Sequence, residues 1–281
     1  FVTARGWEDL SEILKSYEEL QVEIGEELIG EFLQKEEIAR DFAGYYRLYE
    51  KYKSDYQIQE ILDGNVTSRQ LKTCCDMGKK ASFEERFTVT EMLLEAVTER
   101  ISSFQKTDEK TEKLYRNLKL LKVFLQEKNS VEAMEQFIVS RRKALDAKIC
   151  SELLTAEEAA REEEQIRILE EYFFQLKELH ISDVAEGIKQ IGERFGNVCR
   201  LRNEKLEETK KMLEQAFSFL EECFGEGQEL LLFETGLTGD DRCSIFISQY
   251  GCPSYFKHCE LLLYSKKENE LRKECRDLLE E

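Results

Sequence analysis

Proline is almost missing from this chain of 281 residues; Pro253 is the only one. Proline breaks helices from within, so helices here are free to run long. The 14 glycines are scattered. None falls in a G-x-x-x-x-G-K-[ST] loop, and no apolar strand ends in paired acids, so the chain carries neither a phosphate cradle nor a Mg²⁺ ligand set of its own. Histidine occurs only as His180 and His258. That leaves little for base catalysis or for zinc, and no C-x-x-C pair adds to it. No stretch approaches the 18 or so consecutive apolar residues of a membrane-spanning helix. Positive charge is also in deficit. There are 41 Lys and Arg against 59 Asp and Glu, a net charge of −18. Such a chain repels nucleic acid and anionic membrane surfaces, and suits solvation or a basic protein partner.

Nine cysteines are present. Cys74 and Cys75 are adjacent, and Cys150, Cys199, Cys223, Cys243, Cys252, Cys259 and Cys275 are spread out. This is not the dense spacing of a disulfide scaffold, so reduced, buried thiols of a cytoplasmic protein are expected. Cys243, Cys252, His258 and Cys259 cluster in sequence but lack chelate spacing. No catalytic residue and no metal ligand is assigned.

What is there is helical periodicity. Leu10, Ile13, Leu14 and Tyr17 predict a helix over 7–20, and Ile24, Leu28, Ile29 and Phe32 a second over 22–33. A third, from Lys35 to Leu62, carries Phe42, Tyr45, Tyr46, Tyr49, Tyr52 and Tyr56 as one stripe, read as packing. It stops at Asp63-Gly64-Asn65. Thr67 with Gln70, Ser82 with Glu85 and Thr155 with Glu158 are capping-box pairs. They start helices expected to end near Lys80, Lys106 and Leu179. Further helices are expected over 108–128 and 131–154. Asp183 caps another. Its Val184, Ile188, Ile191, Phe195 and Val198 form a heptad seam, as in a coiled coil. The pattern continues less strictly through Leu206, Leu213, Phe217 and Leu220, and implies either one helix of about 40 residues, about 60 Å at 1.5 Å per residue, or two helices broken near Gly196-Asn197. Beyond the Gly225–Gly227 hinge come short apolar segments and an amphipathic helix over 266–281. The expected fold is all-α: a helical part over 1–63, long antiparallel hairpins over 64–225, and a small helical cap over 226–281.

The N-terminal residues add a resemblance. Thr3-Ala4-Arg5-Gly6-Trp7-Glu8-Asp9-Leu10-Ser11, Ala39-Arg40-Asp41-Phe42-Ala43-Gly44-Tyr45-Tyr46 and Leu48-Tyr49-Glu50-Lys51-Tyr52-Lys53 resemble the second half of the lid domain of MoxR-like AAA+ ATPases. The likeness covers about the first 60 residues, a fifth of the chain. It implies that Arg5 is the sensor-2 arginine, the one cofactor-contacting residue here, reaching the phosphates of ATP. A guanidinium is always charged and forks onto phosphate oxygens. The resemblance further implies that the Walker A loop and the ATP·Mg site lie upstream of Phe1. The chain alone is then inactive, holds no cofactor, and is the non-catalytic C-terminal region of a cytoplasmic, chaperone-like remodelling ATPase. Such ATPases form hexamers and work with proteins bearing von Willebrand factor A domains. Residues 64–281 depart from a plain lid by their length and are expected to be a docking arm. The alternative is a non-enzymatic helical scaffold that binds partner proteins through its grooves.

Overall fold

The computed structural model describes residues 2–125 and 129–263, the last five by their backbone. The helix expected over 266–281 lies outside the described residues. The structure is 85% helical, and no strand occurs among the described residues. The helices are α1 (Ala4–Glu19), α2 (Glu26–Leu33), α3 (Glu36–Tyr56), α4 (Ile58–Asp63), α5 (Ser68–Gly78), α6 (Phe83–Phe124), α7 (Ser130–Cys150), α8 (Ala156–Glu178), α9 (Val184–Phe224), α10 (Gln228–Gly239), α11 (Asp241–Tyr250) and α12 (Pro253–Leu263).

Local chemistry sets most of these boundaries. Thr67 and Gln70 form a reciprocal capping box at α5, as do Thr155 and Glu158 at α8. Ser82 Oγ accepts from the Glu85 amide at the start of α6, and Asp183 Oδ2 from the Glu186 amide at the start of α9. Each satisfies a helix-end amide that has no partner within its own helix. α9 runs from Val184 to Phe224 as one helix, so no break occurs at Gly196-Asn197. Gly225, at φ +73°, and Gly227, the N-cap of α10, make the turn that ends it.

Several boundaries differ from expectation; α1 starts at Ala4, and the helix expected over 131–154 ends at Cys150. Residues 22–25 are not helical, because the chain turns at Gln21 (φ +54°) and α2 starts only after Gly25. The third helix is interrupted at Gln57, in the left-handed region, whose amide closes α3 on the Lys53 carbonyl before α4 begins. The break expected near Lys106–Asp108 does not occur. Asp108 looks like an N-cap in sequence, but its carboxylate is taken by Arg202 Nε at 2.7 Å and by the Tyr250 hydroxyl at 3.3 Å. Thr107 and Thr111 turn their hydroxyls back onto the Ser103 and Thr107 carbonyls. With no side chain left to cap a new helix, α6 continues.

The described residues divide into two compact units. The first takes 2–97, 212–244 and 251–263. Within it α1, α2 and α3 share a core of Leu10, Leu14, Ile29, Leu33, Ala39, Ala43 and Tyr46. Gly6 permits close approach, since a Cβ there would lie 2.9 Å from the Phe32 carbonyl oxygen. Elsewhere in this unit Phe217 of α9 is fully buried between the Phe233 ring, edge-on at 5.2 Å, and the His258 ring, stacked at 5.9 Å. Cys75 and Cys223, expected as reduced thiols, form a disulfide that ties α5 to α9. The pairing is invisible in the sequence because the partners lie 148 residues apart.

The second unit takes 98–125, 129–211 and 245–250. Leu114, Leu121, Phe137, Ile138, Ile166, Leu169, Tyr172, Leu176 and Ile191, from α6 to α9, form its core. Arg202 is pinned at one place by Asp108 and the Tyr250 hydroxyl, with the Phe104 and Tyr250 rings 5.2 and 5.5 Å from its guanidinium carbon. The start of α7 is packed tightly. Ser130 is fully buried, its hydroxyl donates to the Ile181 carbonyl at 2.7 Å, and a Cβ on Gly187 would stand 2.5 Å from Ser130 Cβ. Gly187→Ala is therefore expected to lower stability by about 1–2 kcal/mol, overpacking outweighing the helix-propensity gain of alanine. Urea unfolding checks this; a variant more stable than the parent would mean that the α7 terminus yields to the methyl group.

Candidate functional site

Arg5 lies in the first turn of α1. Thr3 caps that helix, its hydroxyl accepting from the Gly6 amide at 3.1 Å. The Arg5 side chain is 87% exposed, and its ion pair to Asp9, at 3.8 Å, is loose. An exposed pair of that kind holds the side chain weakly. The first turn of α1 has no acidic residue. A cation there works against the helix dipole, which favours negative charge at this end, so guanidinium and helix terminus together attract an anion. Beside Arg5 is a cleft of about 250 Å³ lined also by Val2, Thr3, Gly6, Asp9, Glu31 and Phe32. Asp9 and Glu31 offset its positive charge, and Arg5 is the only cation in the lining. Trp7, next along, sets its ring edge-on against Phe42 of α3 at 5.2 Å, which orients α1 on α3.

A second group of perturbed side chains lies elsewhere in the same unit, where α9, α10 and α12 bring Glu221, Glu234 and His258 together. His258 is 1% exposed, and its Nε2 bonds Glu221 Oε1. An ionised carboxylate only accepts, so Nε2 carries the hydrogen. Lys257 Nζ donates to the same oxygen at 3.1 Å. Burial works to raise the Glu221 carboxyl, but the bonds from His258 and Lys257 prevail and hold it below the ordinary carboxylate value. Glu234 is 1% exposed, and neither of its carboxylate oxygens has a hydrogen-bond partner among the described residues. Burial pushes its carboxyl up to about 7, against the pull of His258.

This cluster does not make a catalytic set. The neighbouring thiol of Cys252 donates to Glu214 Oε1 at 3.1 Å, and burial pushes it up to about 12, so it is held as the unreactive thiol. Ser254 donates to Glu214 Oε2 at 2.6 Å rather than to an imidazole. Among the described residues no group of His, Cys, Asp and Glu is arranged to hold a metal ion. The Cys259 side chain and Cys275 lie outside the described residues. His180 follows α8 in the left-handed region, its amide on the Lys177 carbonyl. Nor is any described helix long and apolar enough to cross a membrane.

The sequence reading missed Glu234. Its trace was a lone acid after Leu230-Leu231-Leu232-Phe233, on the face that Leu230, Phe233 and Leu237 bury. No protein family, curated protein or solved structure matches this chain.

Proposed function

We propose that this chain is the lid and helical arm of a MoxR-like AAA+ ATPase, with Arg5 as the residue that reaches the nucleotide phosphates. The observation that supports the reading is the setting of Arg5. It projects from the first turn of the first helix of a small body with its own core, and nothing buried holds it back. A residue that reports phosphate state through a moving lid needs that placement: fixed at its Cα, free at its guanidinium, on an element that moves as one piece. In this reading the arm beyond residue 63 docks clients or a von Willebrand factor A protein, the assembly is a hexamer in the cytoplasm, and ATP and Mg²⁺ belong to a core preceding Phe1. The coding sequence before Phe1 tests it. A Walker A loop and an acidic strand end within about 250 residues upstream are expected. Their absence leaves a non-enzymatic scaffold, the reading favoured by the exposed aromatic side chains of α3 and α6.

A further inference from the structure

Within the first unit the tyrosine stripe of α3 meets a row of glutamates on the first turns of α6. The Tyr56 hydroxyl donates to Glu85 Oε1 at 2.8 Å and the Tyr49 hydroxyl to Glu95 Oε2 at 3.4 Å. Glu91 and Glu95 also act on Tyr45. Burial first, then the charge of these two carboxylates, raises its hydroxyl above the ordinary tyrosine value. Not all of this seam is closed. Tyr45 is 52% exposed, its ring 6.4 Å from that of Tyr49, and Leu48 is 46% exposed. Glu91 and Glu95 form no ion pair among the described residues.

Aromatic faces beside unpaired carboxylates are a receptor for cations. The ring quadrupole and the carboxylate attract the same charge, and Lys or Arg can lay its alkyl stem along the ring. The structure contains a local example. Lys53 Nζ lies 5.8 Å from the centroid of Tyr49 and 3.5 Å from carboxylate oxygens of both Glu18 and Glu50. The other end of the stripe, at Tyr45, has the rings and the carboxylates, and no cation–π contact or ion pair is made there among the described residues. A nucleic acid is repelled by the same acids.

We propose that the Tyr45–Leu48 face of α3, with Glu91 and Glu95 of α6, is a docking surface for a Lys- or Arg-rich segment of a partner protein. The chain's net charge of −18 draws such a segment in, and the aromatic faces give it a fixed place. The surface does not depend on Arg5 or on nucleotide, so it stands or falls apart from the ATPase reading.

Fluorescence anisotropy with a labelled nonapeptide of alternating Lys and Ala tests this. Three variants are compared with the parent: Glu91→Gln/Glu95→Gln, Tyr45→Ala, and Glu204→Gln/Glu207→Gln, on α9 in the second unit, as a control of equal charge change. All alter exposed or half-buried side chains, and circular dichroism confirms that each is folded. The first two should weaken binding about 10-fold or more, and the control less than about 2-fold. Loss of affinity equal in the site and control variants would overturn the proposal, leaving only diffuse attraction to an acidic protein. No measurable binding by the parent at low salt would overturn it too.

Discussion

Reducing the Cys75–Cys223 disulfide, or replacing both residues with alanine, is expected to lower stability by about 4 kcal/mol. The bond closes a loop 148 residues long. Cross-linking two points so far apart removes conformational entropy from the unfolded chain, and the loss grows with the logarithm of loop length. Both residues are buried between α5 and α9 in the first unit. The expected signature is an unfolding midpoint that falls when dithiothreitol is added to the parent and does not move in the Cys75→Ala/Cys223→Ala protein. Equal stability of the parent with and without reductant would show that the pair contributes no cross-link.

The second large effect is a pH dependence with one dominant source. Glu234 titrates near 7 in the fold because burial disfavours its charged form, against an ordinary value of 4.5. A raised carboxyl stabilises the fold only while it is protonated in both states. Its contribution is therefore intact below about pH 4.5, falls as pH rises toward 7, and is constant above that. The loss is about 3 kcal/mol by the linkage relation. Glu234→Gln removes the charge while keeping the shape. It should match the parent near pH 4.5 and exceed it by about 3 kcal/mol at pH 8. Urea unfolding of both proteins across this range checks the sign. Parallel curves would mean that Glu234 finds a partner in the folded protein.

The helices themselves were legible because they rest on local rules. Capping pairs at Thr67, Thr155 and Asp183 start helices where the sequence places them, and the apolar spacing from Val184 to Val198 carries α9 through Gly196. What could not be read is whatever depends on a distant partner. Asp108 signals a cap until Arg202 claims it, so one long helix was read as two. Cys75 and Cys223 carry no spacing that joins them. Glu234 looks like any solvated glutamate until its helix face is known to be buried. Arg5 is the opposite case. Its interest comes from the residues around it in sequence, and the fold adds that its side chain is exposed and lightly held.

The proposed role of Arg5 is tested most directly by ATP turnover together with thermal unfolding for Arg5→Ala in the ATPase that the proposal predicts. The side chain is 87% exposed and its pairing with Asp9 is loose, so stability should change by no more than about 0.5 kcal/mol. Turnover should fall about 10-fold or more, because a charge-assisted contact is lost where phosphate charge develops. Arg5→Lys should recover only part of it, since a point charge cannot reproduce the guanidinium fork. Unchanged turnover in a stably folded Arg5→Ala protein would contradict the account and return Arg5 to the ordinary surface of α1.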